Sequence, residues 1–266
     1  MKKILWLSDI HLNFLDYPAR NKFYNFLKEQ NSDHIIITGD IGDAKTFHIY
    51  LNELFLTLQT TNTIVNFVLG NHDFYNGNRK NSFLLANKEL KNFNFLHGKI
   101  IELSDTITLL GTSGIGDGGY GNFVSGFDYM NDYIKIQNYA NKPAYIVQQI
   151  INAFLEQETI DLQLNLNEAL HKYKTIYFAT HVISFPEGHI SRHKEEFNEG
   201  WVSHYTCKKI GDFLKSTMNQ YPDKNIIILC GHSHNSWKGK ITDNIYMKVA
   251  EADYYYPMIQ EIIEIE

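Results

Sequence analysis

Five short polar clusters, each placed at the end of an apolar run, constrain this chain more than its composition does. They are Asp9-Ile10-His11 after KILWLS, Gly39-Asp40-Ile41-Gly42-Asp43 after HIIIT, Gly70-Asn71-His72-Asp73 after IVNFVL, His181 after TIYFAT, and Gly231-His232-Ser233-His234 after NIIILC. The runs are short, rich in Ile and Val, and bounded by turn residues, which is the pattern of buried strands. Their last residues are therefore expected along one edge of a sheet, outside the carboxyl ends of the strands, where open α/β sheets bind ligands.

The first hundred residues alternate such runs with amphipathic ones. Strands are expected at 4–8, 34–38 and 64–69, and helices at 19–30, 45–59 and 82–91. This alternation indicates βαβ units and a mostly parallel α/β sheet. Shorter strands follow at 93–96, 99–103 and 107–111, with a hairpin turn at Ser104-Asp105. A helix is expected over 144–173, strands at 175–180 and 225–230, and a helix at about 205–220 between them. Antiparallel strands are expected at 240–242, 245–249 and 258–263. Six glycines lie between 114 and 126, which makes that segment a loop near the strand ends. It is no dinucleotide fingerprint, because no G-x-G-x-x-G opens a βαβ helix there. The whole span 1–266 is expected to form one domain.

Composition excludes several classes. The net charge is −6, and the only adjacent basic pairs are Lys2-Lys3, Arg79-Lys80 and Lys208-Lys209. That is no footprint for strong nucleic-acid binding, which needs a basic stripe. No apolar stretch is long enough to span a membrane, and the first run ends at Leu7, too short for a signal-peptide core. Two cysteines, Cys207 and Cys230, form no disulfide framework. A reducing, cytoplasmic setting is expected.

The clusters supply oxygen and imidazole donors for two metal ions. In Asp9-Ile10-His11 and His232-Ser233-His234, residues two apart on an extended chain share a face, so each pair can aim at one point. Asp40 has two oxygens with which to bridge two ions, Asn71 offers an amide oxygen, and His181 an imidazole. A mixed carboxylate and imidazole set suits Mn, Fe, Zn, Co or Ni. The absence of cysteine among these donors argues against a closed structural zinc site.

The ordered series Asp-x-His, Gly-Asp-x-x-Asp, Gly-Asn-His-Asp, His, Gly-His-x-His resembles that of the calcineurin-like metallophosphoesterases, from residue 9 to residue 234. The resemblance implies a four-layer αββα sandwich, two mixed β-sheets flanked by helices, with a dinuclear metal site at strand C-terminal ends. It implies that Asp9, His11, Asp40 and His234 hold metal one. Asp40, Asn71, His181 and His232 would hold metal two, the ions being two divalent or mixed-valence transition metals. His72 would protonate the leaving oxygen or clamp the phosphoryl group, and Asp43 would orient His72. Asp73 is expected as a turn or supporting residue. The implied activity is hydrolysis of a small phosphomonoester or phosphodiester, a nucleotide among them. Phosphoprotein phosphatases of the superfamily carry an arginine where this chain has Ala44. That departure disfavours a phosphoprotein substrate. Scaffold relatives typically lose ligands or the catalytic histidine, whereas this chain retains all of them. Arg192 is the residue expected to bind the substrate's phosphate or carboxylate, since its planar fork suits both. Arg79 is a further option. Specificity is expected in 114–133 and 184–204.

Overall fold

The computed structural model describes residues 1–189 and 199–266. In chain order its elements are β1 (Lys2–Leu7), α1 (Tyr17–Glu29), β2 (His34–Thr38), α2 (Phe47–Leu58), β3 (Ile64–Val68), α3 (Arg79–Ala86), β4 (Phe93–Phe95), β5 (Ile101–Ser104) and β6 (Ile107–Thr112). There follow α4 (Asn131–Lys135), α5 (Ala144–Lys172), β7 (Thr175–Thr180), α6 (Glu199–Tyr205), α7 (Lys208–Met218), β8 (Asn225–Cys230), β9 (Trp237–Thr242), β10 (Ile245–Val249) and β11 (Glu261–Ile265). Local chemistry sets several boundaries. Asp16 accepts the Ala19 amide to cap α1, and Asn78 accepts the Asn81 amide to cap α3.

The strands form two mixed sheets. One runs β11-β1-β2-β3-β4, with β1 to β4 parallel and β11 antiparallel to β1. The other runs β5-β6-β7-β8-β10-β9, parallel from β6 to β10 with antiparallel edges. Side chains alternate across each strand, so each sheet presents two apolar faces. Ile4, Trp6, Ile36, Val68, Leu109, Tyr177, Ala179 and Leu229 form the core between the sheets. Their neighbours Leu5, Leu7, Ile35, Ile37, Leu110, Ile176, Phe178 and Ile228 join side chains of α1, α2, α5 and α7 in the outer core. The architecture is thus helix, sheet, sheet, helix. Each fully buried Leu or Ile in it contributes roughly 1.5–3 kcal/mol of burial free energy.

One expectation is corrected in detail. The five ligand-bearing strand ends do not share one sheet: β1, β2 and β3 belong to the first, β7 and β8 to the second. The two carboxyl edges meet because the sheets stack, and cross-sheet hydrogen bonds pin them. The Leu69 amide donates to Ser113 Oγ at 3.2 Å, and His181 Nδ1 lies 2.9 Å from the Thr38 carbonyl oxygen. The short helices α4 and α6 were not anticipated, and the helix expected at 205–220 begins only at Lys208. No described helix is long and apolar enough to cross a membrane.

Candidate metal centre

Beyond the strand ends the backbone turns sharply, and it does so at the expected ligands. Among the described residues, ten non-glycine residues have positive φ, and five of them are Asp9, His11, Asp40, His232 and His234. Four others are asparagines, the side chain that tolerates this region best, and the last is Tyr255. Strain of this kind costs on the order of 1–3 kcal/mol per residue and persists where surrounding structure enforces it. Here the loops run together: the Asp9 amide donates to the Gly39 carbonyl, and the His11 amide to the Asp40 carbonyl at 2.9 Å.

Two glycines of the motifs exist for clearance. A Cβ at Gly70 would collide with Asp40 Oδ1 and the Asp40 amide nitrogen, and one at Gly231 with the Asp9 carboxylate. The buried Asp73 carboxylate ties these turns to one another. It accepts the amides of Ile41, Gly42 and Gly70 at 3.0, 2.8 and 2.9 Å. Burial lifts its pKa to about 7, against the pull of those same amides. Its supporting role is as expected.

The first ligand group is assembled. One donor atom from each of Asp9, His11, Asp40 and His234 lies within 4.8 Å of the others. His11 Nε2 and His234 Nε2 are 3.1 Å apart, and His234 Nε2 is 3.3 Å from Asp9 Oδ1. The second group adjoins it. His181 Nε2 lies 2.9 Å from Asn71 Oδ1 and 3.4 Å from Asp40 Oδ1, and the His181 and His232 rings are 4.9 Å apart. The other oxygen of Asp40, Oδ2, faces the first group, 3.7 Å from His11 Nε2. Asp40 thus presents one oxygen to each group.

The protonation pattern fits cations. His181 Nδ1 is held against the Thr38 carbonyl, so it carries the proton and Nε2 keeps a bare lone pair aimed at the Asn71 oxygen. Two acceptors at 2.9 Å are reconciled by a cation near both. Burial lowers the pKa of His11 to about 3 and that of His232 well below its usual value, so both rings are neutral donors. Burial would raise the Asp9 carboxyl, but the His234 hydrogen bond and the imidazoles of His181, His234 and His11 hold it below the usual range. Burial, then the charges of Asp9 and Asp73, push Asp40 well above it. A buried carboxylate between two others is stabilised by positive charge nearby, which a bound cation would supply.

A cleft of about 340 Å³ opens on these groups. His72 borders it, its Nε2 3.9 Å from Asp40 Oδ2 and its ring stacked on Tyr75 with centroids 4.3 Å apart. Burial, then the His11 imidazole, lower its pKa to about 2, so the free ring is neutral. The expected partnership with Asp43 is not formed. The Asp43 carboxylate instead accepts the Lys45 amide and the Thr46 hydroxyl, with Asn76 Nδ2 at 3.4 Å. These bonds brace the turn before α2, because a short carboxylate satisfies its own following backbone first. Arg79 is also spent elsewhere. It is buried, ion-paired with Glu158 and packed against the rings of Phe74, Phe83 and Phe154. Arg20 pairs with Glu53. Arg192 lies outside the described residues.

Sequence reasoning missed much of the cleft wall. Tyr75, Asp132, Trp201 and Tyr205 line it, and Tyr254 packs on His11 with ring centroids 4.8 Å apart. Asp132 and Trp201 fall in the segments 114–133 and 184–204 expected to carry specificity, and Tyr75 in the Asn71 turn, whereas Tyr205 and Tyr254 carried no positional signal. The glycine loop braces α7: Asp117 accepts the amides of Lys208 and Lys209 at its start, and Phe123 is buried.

Stacked mixed sheets with carboxylate, imidazole and amide donors at facing strand ends define an α/β metalloprotein. The chain belongs to the calcineurin-like phosphoesterase family, whose sequence model matches residues 2–240. Among solved structures it is similar to a dimetal phosphatase from Danio rerio, with TM-score 0.59, 12% identity, and 94% of this chain and 87% of that one covered. It is also similar to the protein TT1561 of Thermus thermophilus, with TM-score 0.52, 15% identity and coverage of 94% and 89%. A third likeness is to GAP50, the anchor in the inner membrane complex of Plasmodium, with TM-score 0.50, 12% identity and coverage of 94% and 71%. At these identities the likeness is one of fold. No curated protein matches the chain in sequence.

Proposed function

We propose that this chain hydrolyses small phosphate esters, monoester or diester, with two transition-metal ions. The observation that carries the proposal is the split of Asp40, with Oδ1 toward His181 and Oδ2 toward His11. Asp9, His11, Asp40 and His234 would hold one ion; Asp40, Asn71, His181 and His232 the other. Bound there, the ions would supply Lewis acidity to the phosphoryl group and an acidified water for attack.

The protein's own part is positioning and proton handling. The strained strand-end turns fix the donors before substrate arrives, so little reorganisation remains to be done in the reaction. His72, at the cleft beside Asp40, hands a hydrogen bond to an oxygen of the ester. An incoming phosphate anion raises the proton affinity of that ring, and the imidazolium can then protonate the leaving oxygen. Ser233 and Asn131 add polar groups to the cleft.

The cleft wall bears on the substrate. Among the described residues lining it there is no Lys or Arg, whereas Tyr75, Trp201, Tyr205 and Tyr254 all contribute. Such a wall favours one phosphoryl group held at the metals and a leaving group with a planar face, as in a nucleotide or aryl ester. The fold also serves an anchor protein in Plasmodium, so fold alone would admit a scaffold. The intact donor set favours the enzyme. The pairing of β11 with β1 supports reading 1–266 as one domain, and the free buried Cys207 and Cys230 suit a reducing, cytoplasmic setting.

Turnover of p-nitrophenyl phosphate and of bis-p-nitrophenyl phosphate, measured after chelation and again after Mn²⁺ is restored, tests the proposal. Metal-dependent hydrolysis of at least one ester is expected. Absence of turnover on both, in protein shown to carry two ions, would favour the scaffold.

A further inference from the structure

Asn71 can serve a metal only through its amide oxygen, and something must decide which way the amide points. Its Nδ2 donates to the Tyr75 hydroxyl at 3.1 Å, and that hydroxyl lies 3.4 Å from Asp132 Oδ2. The hydroxyl hydrogen is thereby directed to the carboxylate, which leaves an oxygen lone pair to receive Nδ2. Asn71 itself also favours the charged form of Asp132, so both acceptors draw the amino end of the amide. The oxygen end is left toward His181 Nε2, 2.9 Å away. Tyr75 and Asp132 are only 6% and 8% exposed, which protects this chain from competing water.

The same tyrosine holds the cleft histidine. The Tyr75 ring stacks on His72 at an interplanar angle of 28°, and Lys135 Nζ lies 5.2 Å from the Tyr75 ring centroid. Backbone bonds fix the tyrosine from both sides: its carbonyl accepts the Ala44 amide, and the next amide, of Asn76, donates to the Lys135 carbonyl. Asp132 and Lys135 both belong to α4, so a five-residue helix outside the sheets braces the turn that carries Asn71 and His72.

We propose that Tyr75, braced by Asp132, is a positioning residue with two separable tasks. Its hydroxyl orients the Asn71 amide toward metal two, and its ring sets the plane of His72, a task the Asp43 carboxylate, bonded to Lys45 and Thr46, does not perform. The proposal rests on the two-metal reading above.

Two variants separate the tasks. Tyr75→Phe keeps the ring and removes the hydroxyl; Tyr75→Leu removes both. Chelator-stripped protein is titrated calorimetrically with Mn²⁺ alone, and kcat is measured over aryl phosphates of graded leaving-group pKa. In Tyr75→Phe the weaker Mn²⁺ site should lose about 10–100-fold in affinity, with the tighter site unchanged and the leaving-group dependence as in the parent. In Tyr75→Leu that dependence should also steepen, because His72 is no longer held to deliver its proton. Parental affinity at both sites in Tyr75→Phe overturns the hydroxyl's task. Equal leaving-group dependence in both variants overturns the ring's task. If Tyr75→Leu does not fold, Tyr75→Phe with Asp132→Asn, which weakens the brace but keeps the ring, decides the hydroxyl's task by the same titration. A parent protein that binds only one Mn²⁺ overturns the two-metal reading instead, and the wild-type titration reveals it directly.

Discussion

His11 Nε2 and His234 Nε2 stand 3.1 Å apart although 223 residues separate them in the chain. Two ring nitrogens at that distance share either a proton or a cation, and Asp9 at 3.3 Å from the same His234 nitrogen favours the cation. An ion bound there links the first strand's turn to the eighth's. Saturating Mn²⁺ should therefore stabilise the fold. At a hundredfold excess over Kd one site contributes about 2.7 kcal/mol. For a chain of this size each kcal/mol moves Tm by roughly 2–4 °C. Calorimetric scans with chelator and with Mn²⁺ should differ by several degrees; coincident scans would count against the site.

The strained ligands make an opposite prediction for the stripped protein. His11 sits at φ 40° with its side chain buried. His11→Gly and His11→Ala both empty the same space, but only glycine accepts that backbone without strain. The glycine variant should be the more stable of the two by about 1–2 kcal/mol, measured by urea unfolding in chelator. Equal midpoints would mean that the turn relaxes once the ring is gone.

His72→Ala should lower turnover by about 10²–10⁴-fold on an alkyl phosphate while leaving two metal ions bound. The loss should shrink on p-nitrophenyl phosphate, whose leaving group hardly needs a proton. A penalty of the same size on both esters would restrict His72 to holding the phosphoryl group. Loss of metal in the variant would make it a ligand.

His34 gives a pH prediction remote from the metals. It lies on β2, its Nδ1 3.3 Å from Asn66 Nδ2, and burial followed by the charge of Lys2 lowers its pKa to about 4. The unfolded chain takes up this proton first as pH falls, near the ordinary value of about 6.5. The stabilisation is thus full above that value and is lost as pH falls toward 4. His34→Gln should remove on the order of 1 kcal/mol of the stability difference between pH 7 and pH 5, allowing for partial solvent screening. Urea midpoints at the two pH values measure it, and an unchanged difference would refute the assignment.

The sequence made the candidate ligand set visible because each donor follows a buried run, and five polar strand ends in this order are more than solvated turn formers alone account for. β2, β7, β8 and β10 were legible to the residue because each is a short apolar run bounded by polar or small residues. What it could not carry was partnership over distance. Arg79 looked available until Glu158, on another helix, took its guanidinium. Asp43 stood three residues after Asp40, but Thr46, three further on, captured its carboxylate. Asp132 lies on a helix of five residues, too short to leave a period in the sequence. Nor does the order of strands reveal which sheet each joins, since β3 and β7 read alike and part company only in space.

The pairing of β11 with β1 sets an order on the birth of this protein. Among the strands described, β1 is made before all the others and its outer neighbour in the sheet, β11, after them, Lys2 lying opposite Ile265. Until then the strand that leads into Asp9 and His11 has an open edge, the kind that invites pairing with another chain. His234 and the aromatic cover from Tyr254 also arrive late. Ion loading at the first site therefore waits at least for the turn after β8, and a chain clipped near residue 240, where the family match ends, keeps every first-site donor but leaves β1 with an open edge, so it should be prone to aggregate rather than to wait as a folded, empty apoenzyme.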